Sequence, residues 1–211
     1  DLQLIDAMGA SEGGMGMSIS NRQAPPGDTG KFTKMPTAKV FTEDGHEVQP
    51  GSGEEGHIAA GGTFVPIAYY KDPEKSAKTF RVIDGQRYAF IGDMGTIEAD
   101  GTLKVLGRGS GCINTAGEKV FPEEVETVLR THQAISDCLV VGIPDERFGQ
   151  CVAAVVASEG GGDDFTAEVI EFCKQELAGY KCPRVISVQT HSQRCPNGKA
   201  DYPWARALFG V

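Results

Sequence analysis

The chain has 211 residues and a formal net charge of −9, long enough for two ordinary domains and, with its lysines and arginines scattered, too acidic to suggest a nucleic-acid binder. It contains no run of about 18 apolar residues and no basic-then-apolar leader, which argues against a membrane span and a signal peptide; a cytoplasmic protein is expected, with peripheral membrane contact left open. The six cysteines, at 112, 138, 151, 173, 182 and 195, lack C-x-x-C or His-x-x-x-His spacing and read as reduced, mostly core-filling thiols rather than disulfides or metal ligands.

In chain order, Leu2, Leu4 and Ile5 resemble the end of a buried strand that runs into a small-residue loop, Met8 to Glu12, followed by Gly13, Gly14 and Gly16. Backbone can approach a ligand closely in such a loop. From Gly30 to Gly107, turns at Asp44-Gly45, Pro50-Gly51, Asp84-Gly85 and Asp100-Gly101 cut the chain into short segments. The runs Ala38 to Thr42, His57 to Ala60 and Leu103 to Leu106 read as strands, and many short strands predict a small barrel or sandwich. Pro73 to Phe80 reads as one exposed helix. Gly51 to Gly56 matches G-x-G-x-x-G letter for letter, but no buried strand leads into it, no helix is expected after it, and Glu54 and Glu55 would repel a pyrophosphate.

Gly92-Asp93 closes a predicted strand just before a hairpin turning at Asp100-Gly101. An acid at a strand end can accept hydrogen bonds from two vicinal hydroxyls, or simply cap a turn. Arg108 follows on the outgoing strand, its guanidinium suited to a hydroxyl pair or an anion, and Gly109 and Gly111 flank Ser110. The pattern then changes. Pro122 to His132 places Val125, Val128 and Leu129 on one face of a helix begun by Pro122, Glu123 and Glu124. Cys138 to Ile143, Ala153 to Ala157 and Val185 to Val188 read as strands, Glu159 to Asp164 as a loop, and Thr166 to Leu177 and Pro203 to Phe209 as helices. Together they make a compact α+β unit of about 100 residues. Pro196-Asn-Gly-Lys199 is a turn that puts Lys199 at its tip; a lone loop lysine is ordinarily a solvated surface charge.

The ordered series Ala7 to Glu12, Gly53 to His57, Tyr69 to Glu74, Tyr88 to Asp93, Gly107-Arg108, Gly117 to Glu126 and Pro196 to Lys199 resembles the AMP-forming acyl-CoA synthetase, luciferase and adenylation-domain superfamily over essentially the whole chain. The resemblance implies an α+β fold, with residues 1–107 ending a large adenylating domain as a β-barrel-like subdomain and 108–211 forming a small mobile domain hinged near 108–111. It implies an acid-thiol ligase reaction, in which carboxylate and ATP give acyl-AMP and pyrophosphate, and coenzyme A then gives the thioester and AMP. Lys199 is carried over as the catalytic lysine, and Glu12 as a catalytic and magnesium-binding acid. Gly9, Ser11, Asp93, Arg108, Gly117 and Lys181 are carried over as nucleotide or coenzyme A contacts, with Arg184 beside Lys181.

The chain departs from the family pattern at three points. Met8 stands where an adenine-stacking Tyr is usual, Phe90-Ile91 where Arg/Lys-Thr precedes Gly-Asp, and Ser110 where the hinge has Asp or Lys. The family's Ser/Thr/Gly-rich phosphate loop has no match, so the chain alone is expected to be inactive. The tail after Lys199 and the Gly117 to Glu126 run look most like fatty-acyl or steroid-side-chain ligases. A ligase loading a carrier protein and a non-catalytic module reusing the fold are the alternatives.

Overall fold

The computed structural model describes residues 2–23, 30–160 and 164–211; Asp1, and residues 161–163 of the expected Glu159 to Asp164 loop, lie outside the described residues. The chain divides into two compact units, Asp1–Gly109 and Ser110–Val211.

The first unit is mostly strand: β1 (Leu4–Ala10), β2 (Gly13–Ser20), β3 (Lys31–Lys34), β4 (Lys39–Phe41), β5 (Gly56–Gly61), α1 (Pro73–Thr79), β6 (Phe80–Ile83), β7 (Gln86–Ile97) and β8 (Leu103–Arg108). Their order across the sheet is β1-β2-β3-β8-β7-β5-β4, with β6 also on β7. This corrects the barrel expectation. β1 pairs with β2 and β4 with β5 at the two ends of the path, and among the described residues those ends do not pair, so the sheet stays open.

Two further expectations change. Leu4 and Ile5 are 59% and 58% exposed, because β1 is an edge strand with no layer over those side chains among the described residues. Gly92-Asp93 does not close a strand: β7 runs on to Ile97, since Gly92 adopts φ +94°, open to glycine at little cost. The unit's core gathers Met15, Val40, Ile58, Ala60, Phe80 and Leu103. α1 starts as its sequence dictates, with Pro73 in the first turn and the Asp72 side chain accepting the Lys75 N–H at 3.0 Å.

The second unit follows a 3₁₀ turn at Gly109–Gly111. It comprises β9 (Ile113–Thr115), β10 (Glu118–Val120), α2 (Pro122–Leu129), β11 (Asp137–Asp145), β12 (Gly149–Ala157), α3 (Phe165–Glu176), a 3₁₀ turn at Gly179–Lys181, β13 (Val185–Gln189) and α4 (Tyr202–Ala207). β12 is central, antiparallel to β11 and β9 and parallel to β13. The continuous apolar run of β11 is explained by burial on both faces. Cys138 and Val140 join Val152, Ala154 and Val156 beneath Val125 and Leu129 of α2 and Val169 and Cys173 of α3. Leu139 and Val141, one residue out of phase, join Ala153 and Val155 against Ala205 and Trp204 of α4. α2 stops at Leu129 rather than His132 because its end tightens, Thr131 N–H bonding Val128 O at 3.0 Å and His132 N–H bonding Leu129 O at 3.1 Å.

None of the six cysteines is in a disulfide among the described residues, and burial pushes Cys138 up to about 12 and Cys173 to about 11. No helix among the described residues is long and apolar enough to cross a membrane.

Candidate functional site

In the first unit, Ser11 and Glu12 form the two-residue turn of the β1–β2 hairpin, with Ala10 opposite Gly13. The register shifts between Met8 and Gly9, and a Cβ on Gly9 would lie 3.2 Å from Gly13 O; the close backbone approach there needs a small residue. An apolar concavity on this hairpin is lined by Met8, Gly9, Met17 and Met35. Its thioethers offer a soft surface for a flat ring where an aromatic residue is missing.

Glu12 is held from outside the hairpin. The Tyr69 hydroxyl donates to Glu12 Oε1, and that bond, ahead of burial, pushes the Tyr69 phenol above its ordinary value. Tyr69 is itself fixed. Its N–H donates to Ser76 Oγ at 2.8 Å, its ring lies 5.0 Å from Phe80, and Lys75 Nζ lies 4.4 Å over it. In the sequence Tyr69 stands out only as part of the Tyr69 to Glu74 motif. Its role as a brace for Glu12 emerges from the fold, because Tyr69 and Glu12 are 57 residues apart in the chain.

Asp93 and Arg108 are brought together by register, directly opposite each other on β7 and β8. Arg108 Nε lies 3.1 Å from Asp93 Oδ1, with the Arg108 side chain 63% exposed and that of Asp93 14%. Burial pushes Asp93 up, and the Arg108 charge pulls it only part of the way back. The result is a shielded acceptor beside an exposed fork of donors, a pair that can grip vicinal hydroxyls.

In the second unit, Lys199 is exposed at the tip of a tight turn. Cys195 N–H donates to Lys199 O and Gly198 N–H to Cys195 O, both at 2.8 Å. Lys199 N–H donates to Asn197 Oδ1 at 3.1 Å, and Gly198 takes φ +79°. The ammonium makes no hydrogen bond or ion pair among the described residues.

Gly117 belongs to a different corner. Ala116 (φ +53°) and Gly117 (φ +89°) form the two-residue β9–β10 turn, both in the left-handed region that a primed hairpin turn needs. Ala116 N–H donates to Phe148 O at 3.0 Å, and a Cβ on Gly117 would meet open space. The Arg184 guanidinium lies 4.1 Å over the Phe148 ring, and that of Arg147 5.1 Å. Lys181 pairs with Glu124 at 2.6 Å, both side chains about four-fifths buried.

Strand register separates the two corners. Asp137, which accepts hydrogen bonds from Ser192 and Arg194 at the root of the Lys199 turn, pairs with Ala157 at one end of the β11–β12 ladder. Asp145 pairs with Gly149 at the other end, and Gly149 with Thr115 beside Gly117. At a rise of about 3.4 Å per residue, β11 spans about 27 Å.

Residues 124–199 match the AMP-binding enzyme C-terminal domain. The chain is 46% identical over 205 residues, 96% of its length, to a medium/long-chain-fatty-acid–CoA/3-oxocholest-4-en-26-oate–CoA ligase of Mycobacterium marinum. It is 44% identical over 211 residues, 99% of its length, to a 3-oxocholest-4-en-26-oate–CoA ligase of Rhodococcus rhodochrous. It spans 37% and 38% of the length of these curated relatives. Among solved structures it resembles ATP-bound MatB from Rhodopseudomonas palustris, with a TM-score of 0.80 at 27% identity, covering 98% of this chain and 40% of that one. The chain belongs to the adenylate-forming superfamily of AMP-binding enzymes, whose C-terminal domain it carries.

Proposed function

We propose that the chain works as the carboxyl-terminal part of an AMP-forming acyl-CoA synthetase acting on fatty or steroid-derived acids. The observation that carries this reading is the β11–β12 ladder, with a bare lysine at one end and an unobstructed glycine turn at the other. A rigid body about 27 Å long offers one end or the other to a single reaction centre, which suits two successive steps. Residues 108–111 are the hinge, and residues 1–107 and 108–211 the bodies it joins.

In the first step a carboxylate oxygen attacks the α-phosphorus of ATP and the bond to pyrophosphate breaks, leaving acyl-AMP. Negative charge grows on the phosphate oxygens during the attack, and the Lys199 ammonium, which has no hydrogen-bond or ion-pair partner among the described residues, is available to meet it. Asp93 and Arg108 hold the ribose hydroxyls, and Gly9 and Ser11 bring backbone and hydroxyl close to the nucleotide. Glu12 fits a magnesium ion: one oxygen is engaged by Tyr69, the other remains for the metal, and magnesium in nucleotide sites needs only one or two protein carboxylates. The ion supplies charge neutralisation on the phosphates.

In the second step the sulfur of coenzyme A attacks the acyl carbon, its proton is lost, and AMP leaves with the electron pair of the broken acyl–oxygen bond. The open space at Gly117 admits the pantetheine arm. Arg147 and Arg184, stacked on Phe148 at the same end, suit the acceptor's phosphates. Lys181 would reach them only by sharing its charge with Glu124. The names of the two relatives support both the acceptor and the acid class.

The test measures both half-reactions in the full-length enzyme. Lys199→Ala should slow pyrophosphate release on the order of 100-fold and spare thioester formation from supplied acyl-AMP. Gly117→Leu should do the reverse. Equal losses in both steps for both variants would sink the reading.

A further inference from the structure

Beneath the Lys199 turn lies a group of side chains that the reaction as described does not use. Glu126, 3% exposed, accepts the Val140 N–H at 2.9 Å and the Tyr202 hydroxyl at 3.2 Å through Oε1, and Arg130 Nη2 at 3.0 Å through Oε2. Arg130 continues to Cys138 O at 3.1 Å and to Asp137 Oδ1 at 3.4 Å. Asp137 Oδ2 accepts Arg194 Nη2 at 2.5 Å, Arg194 Nε at 3.1 Å, and the Ser192 hydroxyl. One connected network therefore grips residues 192 and 194 on one side of the turn and residue 202 on the other. Between these grips the backbone closes on itself, with Arg194 bridging Ala200 and Asp201 N–H donating to Gln193 O at 3.3 Å.

We propose that Glu126 and Asp137, joined by Arg130, are positioning residues that hold both roots of the Lys199 turn and so fix where the lysine stands for the adenylate-forming step. The inference rests on the role given to Lys199 above. Two observations support it over a purely structural role. Glu126 is buried although its Arg130 partner is 40% exposed, and a carboxylate buried in a helix–strand contact is seldom the most stabilising filling, since apolar residues of similar volume commonly do as well or better. In addition, the network's outward contacts converge on the segment 192–202, whereas α2 is already seated on β11 by Val125 and Leu129. A turn tied at both roots loses less freedom when its tip engages charge, and a lysine displaced by an ångström loses much of its effect.

The experiment uses the full-length enzyme carrying Asp137→Asn, Tyr202→Phe, Lys199→Ala, and Asp137→Asn combined with Lys199→Ala. Pyrophosphate release and thioester formation from supplied acyl-AMP are measured for each. Asp137→Asn should slow pyrophosphate release about 10- to 100-fold, the scale of a misplaced catalytic group, and Tyr202→Phe less. Both should leave thioester formation within about twofold of the parent. The combined variant should be no slower than Lys199→Ala alone, because a displaced lysine and a missing one forfeit the same interaction.

Thioester formation is the built-in control for folding. The Gly117 turn lies on the same unit at the far end of the ladder, so a merely weakened unit would slow both steps. Equal slowing of both steps, or losses that multiply in the combined variant, would overturn the proposal. So would full adenylation in Asp137→Asn and Tyr202→Phe alongside a crippled Lys199→Ala, leaving the function reading standing. Full adenylation in Lys199→Ala would remove that reading and this inference together.

Discussion

The charged side chains that the proposed adenylate-forming step uses are kept in opposite conditions in the two units. In the first unit they are already engaged: Asp93 with Arg108 across a strand pair, Glu12 with Tyr69. In the second, the Lys199 ammonium has no partner among the described residues, while Asp137 and Arg194 pair at the root of its turn. Groups that hold a ligand through a whole reaction gain from being fixed in advance. A cation meant for charge that appears only in the transition state gains from having no partner to give up, and an exposed ammonium costs little to leave unpaired in water. The backbones differ in a parallel way. Strands of the first unit meet through glycine, where a Cβ on Gly56 would lie 2.4 Å from Phe41 O, whereas the central strands of the second are filled by valine and alanine.

The largest expected effect tests the backbone contrast. Gly56→Ala should destabilise the first unit by about 3 kcal/mol, the range for overpacking against immovable backbone. Urea unfolding of the 211-residue chain followed by far-UV circular dichroism should show a transition moved to lower urea. Fluorescence of Trp204, the single tryptophan, which packs on the second unit's core, should keep its midpoint. An unmoved circular dichroism transition would count against the close approach at Gly56.

Next come the engaged pairs. Arg108→Ala in the full-length enzyme should raise KM for ATP about tenfold, the equivalent of roughly 1.4 kcal/mol, and change kcat little, the pattern of binding lost equally from ground and transition states. A fall in kcat as large as that from Lys199→Ala would erase the distinction between the units. Tyr69→Phe should do less. It keeps the ring against Phe80 and removes only the hydroxyl from Glu12, so adenylation should fall about fivefold, the worth of one hydrogen bond, and recover as magnesium is raised. An unchanged magnesium dependence would refute the brace.

Much of the second unit was legible because its patterns are local. Valine-rich runs dictated β11 and β12, and Pro122 with two acids dictated the start of α2. In the first unit the chain is cut by glycine turns, and what turns do collectively depends on pairing across long sequence separations. The open sheet and the passage of β7 through Gly92 were hidden for that reason. Motif order pointed to Glu12, Asp93, Arg108, Gly117 and Lys199 as candidates, but not to the side chains packed around them, since Tyr69 and Asp137 meet their partners 57 and 55 residues away. One support had left a local sign. Glu126 follows Val125 and precedes Leu129 by three, which puts an acid on the apolar face of α2 with Arg130 four residues on, a placement that calls for buried partners.

The smallest effect separates the two carboxylates under the Lys199 turn, which shift in opposite directions. Burial pushes Glu126 above its ordinary 4.5, further than the Val140 N–H and Arg130 pull it down. Burial also pushes Asp137 up, but Arg194, Ser192 and the Cys138 N–H together outweigh it and hold the carboxyl below 3.8. The folded chain thus binds extra proton at Glu126 just above pH 4.5, so that contribution is full below 4.5 and is lost as pH rises through the raised value. At Asp137 it binds less proton than the unfolded chain, so that contribution is present above pH 3.8 and is lost as pH falls through the lowered value. Urea midpoints read by Trp204 fluorescence from about pH 7 down to about pH 3 give the two slopes. Glu126→Gln should flatten the slope above 4.5 and leave the acid limb alone, while Asp137→Asn should flatten the limb below 3.8. If both variants kept the parent's slopes, neither carboxylate would be held as the structure holds it, and the network would lose its claim on the lysine.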